Sequence, residues 1–367
     1  MRVVLTGGGT GGHIYPALAV AEEILRHEPQ AKFLYIGTSK GLESKLVPKQ
    51  GLPFEEIEIS GIQRKLTLEN VRTAWKFIRS VSKSKEILRK WKPDIVIGTG
   101  GYVCGPVVFA AARLGIPTLI HEQNVVPGLT NVFLSRFVDR IAVSFEESLT
   151  HFPKQKTVYT GNPRATQVQH GNADAGREMV GVSPEKPIVL VVGGSRGARA
   201  INEATLQLVP YIKQHPDYHF VYVTGDVHYD KIAAQLSDHG NLPANLSLLP
   251  FVHQMPDLLA ATHLIVNRAG ASFLAEITSL GIPAVLIPSP YVTNNHQEKN
   301  ARGLERVGAA VVILEKELNG ESLQNALDPI LTNQELRERM RQESLKMGKK
   351  DAASSIYHEV EELMKRK

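Results

Sequence analysis

The stretch Val3–Ala19, VVLTGGGTGGHIYPALA, joins a short apolar run to a glycine-rich run and then to a helical pattern. The apolar run is typical of a buried strand, and the glycine-rich run Gly7–Gly12 lets the backbone turn tightly into a helix. A helix that begins at such a turn offers free N–H groups and a partial positive charge to an anion. The stretch therefore predicts the opening strand–loop–helix unit of an α/β domain with a phosphate-binding loop.

The same pattern recurs in the middle of the chain, where Ile188–Val192 precede the run Gly193–Ala198 and another helical pattern. Short apolar runs alternate with amphipathic segments almost throughout, which favours parallel sheets covered by helices on both faces. We therefore predict two Rossmann-like, doubly wound parallel-sheet α/β domains that face a cleft. The predicted strands are Val3–Thr6, Phe33–Ile36, Ile95–Gly98, Thr118–His121, Ile141–Ser144, Thr157–Thr160, Ile188–Val192, Phe220–Thr224, Leu246–Pro250, Leu264–Val266, Ala284–Ile287 and Ala310–Leu314.

The domain boundary is expected between the strands at Thr157–Thr160 and Ile188–Val192, with the polar stretch Gln167–Lys186 as a linker. This division predicts an N-terminal domain over residues 1–163 and a C-terminal domain over residues 164–345. The remaining residues, 346–367, are expected to form a C-terminal helix that packs back on the N-terminal domain.

The composition is that of an ordinary globular protein, with 43% hydrophobic and 22% charged residues in a chain of 367. The single cysteine, Cys104, excludes an internal disulfide and indicates a reducing compartment. The apolar run at the N-terminus is too short for a signal peptide, and no stretch approaches the ~20 apolar residues of a spanning helix. Since no Cys/His cluster has metal-ligand spacing, we expect no metal site and no cofactor.

The charge is unevenly placed, because residues 1–164 carry 22 Lys and Arg against 14 Asp and Glu. This indicates either an anionic partner or a contribution to solubility alone. Arg72, Lys76 and Arg79 share one face of a predicted helix, and Trp75 lies on its apolar stripe. A basic helix with an exposed aromatic is typical of a membrane-surface element, whereas an ordinary surface helix would pack Trp75 into the core. No nucleic-acid-reading motif accompanies the charge, so a nucleic-acid partner is not expected.

His13 directly follows the first glycine loop, and its near-neutral titration suits a general base. The other interpretation is a capping or packing histidine. A second glycine-rich turn, Gly98–Gly105, follows another predicted strand, and the polar run His121–Asn124 follows the next one. Open α/β sheets bind ligands at these strand ends, so we expect the polar side chains to line a site.

Taken in order, these and further runs resemble the MurG family, the N-acetylglucosaminyltransferases that convert lipid I to lipid II in bacterial peptidoglycan synthesis. The resemblance spans nearly the whole chain and is closest to the form found in Gram-positive bacilli. The matching runs are GGGTGGHIYPALA at 7–19, GTGGYVCGP at 98–106, HEQN at 121–124, PGLTN at 127–131, TGNPR at 160–164, GGSRGAR at 193–199, RAGAS at 268–272 and NHQEKNA at 295–301.

The resemblance implies the two-Rossmann GT-B glycosyltransferase fold. It implies that UDP-N-acetylglucosamine binds the C-terminal domain and lipid I binds the N-terminal domain, at the cytoplasmic face of the cell membrane. The reaction would invert the anomeric centre to give a β-1,4 linkage, without a tightly held metal. Other cell-wall or division proteins are further expected partners.

The resemblance also assigns roles to residues by position. Glu276 would bind the ribose hydroxyls, and Ser195 would meet the donor phosphates. Phe251, Val252 and Met255 would cradle uracil, and Arg164 would lie at the hinge on the donor side. The remaining donor residues are Arg268, Gly270, Ala271, Ser272, His296 and Gln297. The acceptor side would be lined by Thr10, Gly11, Gly12, His13, Gly100, Gly101, Tyr102, Glu122, Asn124 and Asn131.

For catalysis, His13 is the first candidate for the general base that takes the acceptor's 4-hydroxyl proton, and Glu122 is the second. Other interpretations of the same fold are a different UDP-sugar transferase or a UDP-sugar epimerase. A non-enzymatic alternative is a nucleotide-sugar-binding scaffold that recruits cell-wall or division proteins to the membrane.

Overall fold

The computed structural model describes residues 1–60, 68–194, 196–238 and 242–365. The chain divides into two units. The first domain is residues 1–164 together with 351–367, and the second domain is residues 165–350.

In the described part of the first domain, seven parallel strands alternate with helices along the chain. The strands are β1 (Arg2–Thr6), β2 (Lys32–Gly37), β3 (Phe54–Glu56), β4 (Ile95–Gly98), β5 (Thr118–Glu122), β6 (Arg140–Val143) and β7 (Thr157–Tyr159). The helices are α1 (Gly11–His27), α2 (Glu43–Lys49), α3 (Leu68–Trp91), α4 (Cys104–Arg113) and α5 (Leu129–Leu134), with 3₁₀ turns at Glu146–His151 and Lys154–Lys156.

The second domain repeats this plan with six parallel strands in its described residues. Its strands are β8 (Ile188–Val192), β9 (His219–Val223), β10 (Leu246–Leu249), β11 (Thr262–Asn267), β12 (Ala284–Leu286) and β13 (Ala310–Val312). Helix α6 (Arg164–Val168) starts at the boundary, and α7 (Ala173–Val180), α8 (Arg199–Gln214), α9 (Asp226–Asp238), α10 (Met255–Ala261), α11 (Ala271–Leu280), α12 (His296–Arg306), α13 (Gly320–Thr332) and α14 (Gln334–Met347) follow. Short 3₁₀ turns lie at Thr293–Asn295 and Glu315–Glu317.

The two sheets share one topology. The strand order is β3-β2-β1-β4-β5-β6-β7 in the first domain and β10-β9-β8-β11-β12-β13 in the second. The order reverses between β1 and β4, and again between β8 and β11, so each sheet has one topological switch point. Open α/β sheets bind ligands outside the carboxyl ends of the strands at such points.

Each sheet is covered on both faces. Val4, Leu34 and Val96 pack on one face of the first sheet with α3 and α4, whereas Val3, Leu5 and Phe33 pack on the other face with α1 and α2. The strands of the second sheet divide in the same way between two clusters. Strands buried on both faces must be apolar along their whole length, which explains why they read as continuous apolar runs.

The final helix, α15 (Ala352–Lys365), packs on the first domain. Ile356 and Val360 join the apolar cluster beneath α1. Tyr357 stacks on His27 with ring centroids 4.2 Å apart. Arg140 on β6 forms an ion pair with Glu359, with Nε 2.7 Å from Oε2.

The strand predictions are confirmed, with shifts of up to two residues at their ends, but the structure has one further strand, β3, that the sequence pattern does not predict. Its residues are Phe54, Glu55 and Glu56, of which the two glutamates are exposed. A half-exposed edge strand lacks the continuous apolar run by which the other strands were found.

The prediction of a linker at Gln167–Lys186 is wrong, since α7 lies within this stretch and packs on α10 inside the second domain. Two glycines allow the close approach. A Cβ at Gly171 would lie 2.2 Å from the carbonyl oxygen of Pro256, and one at Gly176 would lie 2.2 Å from that of Asp257. The polar composition reflects the solvent-facing side of a short helix.

Candidate functional site

The predicted site residues follow the strands at the two switch points. In the first domain, the loops Gly7–Gly12 and Gly98–Gly105 follow β1 and β4, which are neighbours in the sheet. In the second domain, Gly193–Ala198 and Arg268–Ser272 follow the neighbouring strands β8 and β11. The topology thus brings each pair of motifs together, although they lie about 90 and 75 residues apart in sequence.

The first pair of loops, called here the paired glycine loops, is in direct backbone contact. The N–H of Gly8 donates to the carbonyl oxygen of Gly100 at 3.3 Å. Gly101 has a φ of +80°, and a Cβ there would lie 2.3 Å from the oxygen of Gly8. The Thr99 hydroxyl donates to the carbonyl of His13 at 2.6 Å, which ties the start of α1 to β4.

His13 is half-buried at the N-terminus of α1, and the neighbouring Thr10 and Gly12 are exposed. Its Nδ1 lies 3.1 Å from the carbonyl oxygen of Gly8 and 3.2 Å from the hydroxyl of Thr10. Because a carbonyl oxygen only accepts, this geometry assigns the proton of the neutral ring to Nδ1 and leaves Nε2 as the accepting nitrogen. Nε2 lies beside Gly100, since a Cβ on Gly100 would be 3.3 Å from it.

Glu122 ends β5 and is buried, with donors on both carboxylate oxygens. Oε1 accepts from the backbone N–H of Asn124 at 2.9 Å and from its side-chain amide at 3.3 Å. Oε2 accepts from the N–H of Gly128 at 3.0 Å and from the side chain of Asn131 at 2.8 Å. A carboxylate held by four donors orders its loop and has little capacity left to take a substrate proton. The geometry therefore favours His13 over Glu122 as the base.

Asn131 links this carboxylate to the paired glycine loops. Its amide nitrogen also donates to the carbonyl of His121 at 3.2 Å. Its Oδ1 is buried and accepts no hydrogen bond from the described residues. A Cβ on Gly100 would lie 3.5 Å from the amide nitrogen, so Asn131 and His13 flank the same glycine. Tyr102 packs over Gly9, where a Cβ would lie 3.2 Å from its ring.

His121 is fully buried beneath this site. Its Nε2 lies 3.0 Å from the carbonyl oxygen of Gly161, and its Nδ1 lies 3.0 Å from the side-chain nitrogen of Gln123. The same nitrogen of Gln123 donates to Thr99 at 2.7 Å. Burial lowers the pKa of His121 to about 4, and its bond to Gly161 only partly offsets this. His121 is therefore a neutral structural residue that supports the strand ends.

In the second domain, the glycines differ in what surrounds them. A Cβ on Gly193 would lie 2.4 Å from the backbone nitrogen of Ala198, so this glycine is required by the loop itself. Gly270 caps α11 with an ordinary φ of −71°, and a Cβ there would meet nothing within 4 Å. Ala271 and Ser272 form the first turn of α11, and Glu276 is buried one turn later. Ser195 lies outside the described residues.

Arg268 is held by protein groups at the end of β11. It forms an ion pair with Glu315, and its Nη1 donates to the carbonyl of Ile287 at 3.1 Å. Gln297 closes the neighbouring loop, since its Oε1 accepts from the N–H of Ser289 at 2.9 Å. His296 begins α12, directly after Asn295, whose φ is +51°.

The three residues expected around uracil lie between β10 and α10. Phe251 is half-buried and meets His253 edge to face at a centroid distance of 4.9 Å. Met255 begins α10. The side chain of Val252 is buried in the core, so only its backbone is available to a ligand.

Arg164, predicted on the donor side at the hinge, is the last residue of the continuous part of the first domain. Its guanidinium lies over the ring of Tyr15 at 5.3 Å. In the predicted membrane helix, Trp75 and Ile78 are 64% and 68% exposed, which excludes the alternative that Trp75 packs in the core. The side chain of Arg72 lies outside the described residues.

Two acids that contact these sites, Glu43 below the first glycine loop and Glu315 beside Arg268, are not among the predicted site residues. Each lies in a polar run that follows a predicted strand, residues 37–43 after Phe33–Ile36 and residues 315–317 after Ala310–Leu314, and this position is the local signal that could have found them. Among the described residues, no group of three His, Cys, Asp or Glu side chains could hold a metal ion. None of the described helices is long and apolar enough to cross a membrane.

Comparison with known proteins identifies the class. Residues 3–143 match the glycosyltransferase family 28 N-terminal domain, and residues 188–356 match the family 28 C-terminal domain. The chain is therefore a two-domain glycosyltransferase of family 28.

The chain is 53% identical over 366 residues to the UDP-N-acetylglucosamine–N-acetylmuramyl-(pentapeptide) pyrophosphoryl-undecaprenol N-acetylglucosamine transferase 1 of Bacillus cereus, with all of both chains covered. It is 53% identical over 365 residues to the transferase of Halalkalibacterium halodurans, again over the whole of both. The crystal structure of Acinetobacter baumannii MurG matches with a TM-score of 0.77 and 30% identity, over 98% of this chain and 99% of that one. The chain belongs to the MurG family.

The fold also occurs in UDP-sugar enzymes of other kinds. The UDP-N-acetylglucosamine 2-epimerase of Neisseria meningitidis, solved with UDP-N-acetylglucosamine bound, has a TM-score of 0.69 over 99% of this chain and 100% of that one. Its identity to this chain is 14%, so the likeness extends to the fold alone.

The buried His121 makes the stability of the first domain depend on pH. Its pKa of about 4 lies below the 6.5 of an unfolded histidine, so between these values the unfolded chain binds more protons. The contribution of neutral His121 to the free energy of unfolding should be fully present above pH 6.5. We expect it to fall by roughly 3 kcal/mol as the pH falls towards 4.

Both tryptophans, Trp75 and Trp91, lie in the first domain, so their fluorescence during urea unfolding measures its stability. We expect the difference in unfolding free energy between the wild type and His121→Gln to shrink on going from pH 7 to pH 4.5. Parallel pH dependences of the two proteins would contradict the assignment.

Proposed function

We propose that this protein transfers N-acetylglucosamine from UDP-N-acetylglucosamine to the 4-hydroxyl of the muramoyl sugar of lipid I, forming lipid II with a β-1,4 linkage. The observation that carries the proposal is the match to the MurG transferases over the whole chain, with the strand-end motifs of both domains present. The contacts that hold the His13 ring beside Gly8 and Thr10 also support it.

The second domain would bind the donor. The N-terminus of α11 offers backbone N–H groups and a partial positive charge, which suit a diphosphate. The buried carboxylate of Glu276 can accept hydrogen bonds from two ribose hydroxyls. Preorganised N–H groups of this kind stabilise the charge that the leaving UDP gains in the transition state.

The first domain would bind the acceptor and activate it. In a direct displacement, the acceptor's O4 forms a bond to the anomeric carbon while the bond from that carbon to the diphosphate oxygen breaks. This single displacement inverts the configuration. The hydroxyl proton passes to Nε2 of His13, the nitrogen that the contact of Nδ1 with Gly8 leaves as the acceptor.

The role of His13 is tested by His13→Ala. Loss of a general base typically costs ~10²–10⁴-fold in turnover, so we expect a fall in kcat of that order with UDP-N-acetylglucosamine binding unchanged. The readout is UDP release with and without a lipid I analogue. His151→Ala, at an exposed histidine of the same domain, is the control.

Turnover of His13→Ala within a few-fold of the wild type would remove His13 from the base role. Conversion of UDP-N-acetylglucosamine by the wild type without any acceptor would favour an epimerase. Complete inactivity of the wild type with authentic lipid I would favour a nucleotide-sugar-binding scaffold.

The donor site is tested by Gly270→Ala. The added Cβ meets no protein atom within 4 Å, so the melting temperature should stay close to the wild type. A methyl group at the N-terminus of α11 would keep the diphosphate from the N–H groups of that helix. We therefore expect calorimetry to show that UDP binds at least about 10-fold more weakly, a loss of about 1.4 kcal/mol in binding free energy. Unchanged affinity would place the diphosphate elsewhere.

We also propose that the first domain docks on the cytoplasmic face of the cell membrane. Trp75 and Ile78 of α3 are strongly exposed, and so is Leu129 of α5. Beside them, Phe77, Phe109, Phe133 and Phe137 form a chain of ring contacts that joins α3, α4 and the segment from α5 to Phe137. The exposed apolar surface is completed by Val132, Phe133 and Phe137.

Basic groups border this apolar surface. Arg79 lies over the Trp75 ring at 5.8 Å, and Lys76 is on the same helix. Exposed apolar side chains beside cations fit an anionic lipid interface, where each cation contributes ~1 kcal/mol. The lipid-linked acceptor of the proposed reaction lies at that interface.

The docking surface is tested by replacing Trp75 and Ile78 with serine and measuring flotation with anionic vesicles. Inserting a large apolar side chain is worth about 1.5–3 kcal/mol, so we expect vesicle binding to fall at least 10-fold. Val227→Ser is the matched control, since Val227 is 72% exposed on the second domain. If Val227→Ser loses as much vesicle binding as the double variant, or if the double variant loses none, this surface is not the membrane-docking surface.

A further inference from the structure

One peptide unit in the first glycine loop carries a charged or titratable side chain at each end. The N–H of Gly9 donates to Oε2 of Glu43 at 3.1 Å. The carbonyl oxygen of Gly8, on the opposite side of the same peptide, lies 3.1 Å from Nδ1 of His13. A carboxylate and an imidazole are therefore joined through the Gly8–Gly9 peptide.

Glu43 is built into this position. It is fully buried at the start of α2, and its Oε1 accepts from the N–H of Thr38 at 3.1 Å and from the Thr38 hydroxyl at 2.7 Å. Glycines make room for the carboxylate. A Cβ on Gly8 would lie 2.5 Å from Oε1, and one on Gly41 would lie 2.1 Å from Oε2.

Tyr35 holds the same loop from the sheet. Its hydroxyl donates to the carbonyl of Gly7 at 2.6 Å. Burial, and then the charge of Glu43, raise the pKa of Tyr35 well above its ordinary value, so the hydroxyl keeps its proton and remains a donor. The consecutive carbonyls of Gly7 and Gly8 thus accept from Tyr35 and His13.

Hydrogen bonds in series polarise one another. A carboxylate that accepts from the Gly9 N–H increases the negative charge on the Gly8 carbonyl oxygen, and this strengthens the bond from Nδ1–H of His13. A carboxylate bonded directly to Nδ1–H performs this task in the Ser-His-Asp triad, where it fixes the tautomer and stabilises the imidazolium. Here the peptide unit lies between the two groups.

We propose that Glu43 is a positioning residue for His13 and acts through the Gly8–Gly9 peptide. It keeps the proton on Nδ1, presents Nε2 to the acceptor hydroxyl and stabilises the ring after proton transfer. This inference rests on the proposed transfer reaction and on the proposed role of His13 as its base.

The test is Glu43→Gln. The glutamine oxygen can still accept from Thr38, but its NH₂ group then faces the N–H of Gly9, donor against donor. We expect kcat for transfer to lipid I analogue to fall about 10–100-fold, less than the loss of the base itself. The KM for UDP-N-acetylglucosamine should stay within about three-fold, since the predicted donor residues other than Arg164 lie in the second domain.

Thr38→Val is the matched control. It removes a hydroxyl that donates to the same carboxylate but leaves the Gly9 side intact. We expect kcat within about three-fold of the wild type at a comparable loss of thermal stability. If Thr38→Val lowers kcat as much as Glu43→Gln does, the effect is general destabilisation and the proposal fails.

The double variant His13→Ala/Glu43→Gln separates positioning from loop distortion. If Glu43 acts through His13, adding Glu43→Gln to His13→Ala changes kcat by less than about two-fold. If Glu43→Gln lowers the kcat of His13→Ala as much as it lowers the kcat of the wild type, the proposal is overturned. An active His13→Ala would instead overturn the base role, and an inactive wild type would overturn the transfer reaction.

A measurement on the wild type needs no change at Glu43. Nitrogen-15 NMR of ring-labelled histidine, with the His13 signals assigned by their loss in His13→Ala, reports the tautomer. We expect the proton of neutral His13 to be on Nδ1. A neutral ring protonated on Nε2 would contradict the relay even if Glu43→Gln failed to fold.

Discussion

Backbone contact between the loops that follow β1 and β4 is the constraint on which the first domain's site depends. The two strands are neighbours, so their loops leave the sheet side by side. Gly101 approaches so closely that a Cβ would lie 2.3 Å from the oxygen of Gly8, and its φ of +80° disfavours any residue with a side chain. At this contact the main chains of Gly8, Gly100 and Gly101 meet directly, and the side chains of Thr99 and Tyr102 pack against the first loop.

Buried polar groups then fix the loops. Glu43 holds the first loop from below, and Glu122 holds the segment from Asn124 to Asn131 through four donors. Leaving one of these carboxylates without its donors inside the protein would cost about 1–3 kcal/mol or more, so the bonds hold each loop in one arrangement. Rigid surroundings of this kind hold a catalytic side chain in position before the substrate arrives.

The sequence predicted most of the fold because the strands are buried on both faces and therefore apolar without interruption. It did not predict β3, which is an exposed edge strand. It also did not predict α7, whose polar residues lie on the outer side of a helix that packs through Gly171 and Gly176. In the site, motifs located His13 and Gly270 because strand, glycine loop and helix follow one another locally. Glu43 and Glu315 also follow predicted strands, but the tertiary structure alone brings them to their partners, the N–H of Gly9 and the guanidinium of Arg268.

The two domains share one topology but use their glycine loops differently. In the first domain, the Gly9 N–H is already bonded to a buried carboxylate, so it is directed at the protein rather than at a ligand. A negative charge below the loop also opposes a phosphate bound directly above it. In the second domain, Gly270 precedes α11 with open space where a side chain would be. This difference supports a division in which the first loop orients a base and the N-terminus of α11 receives the anion.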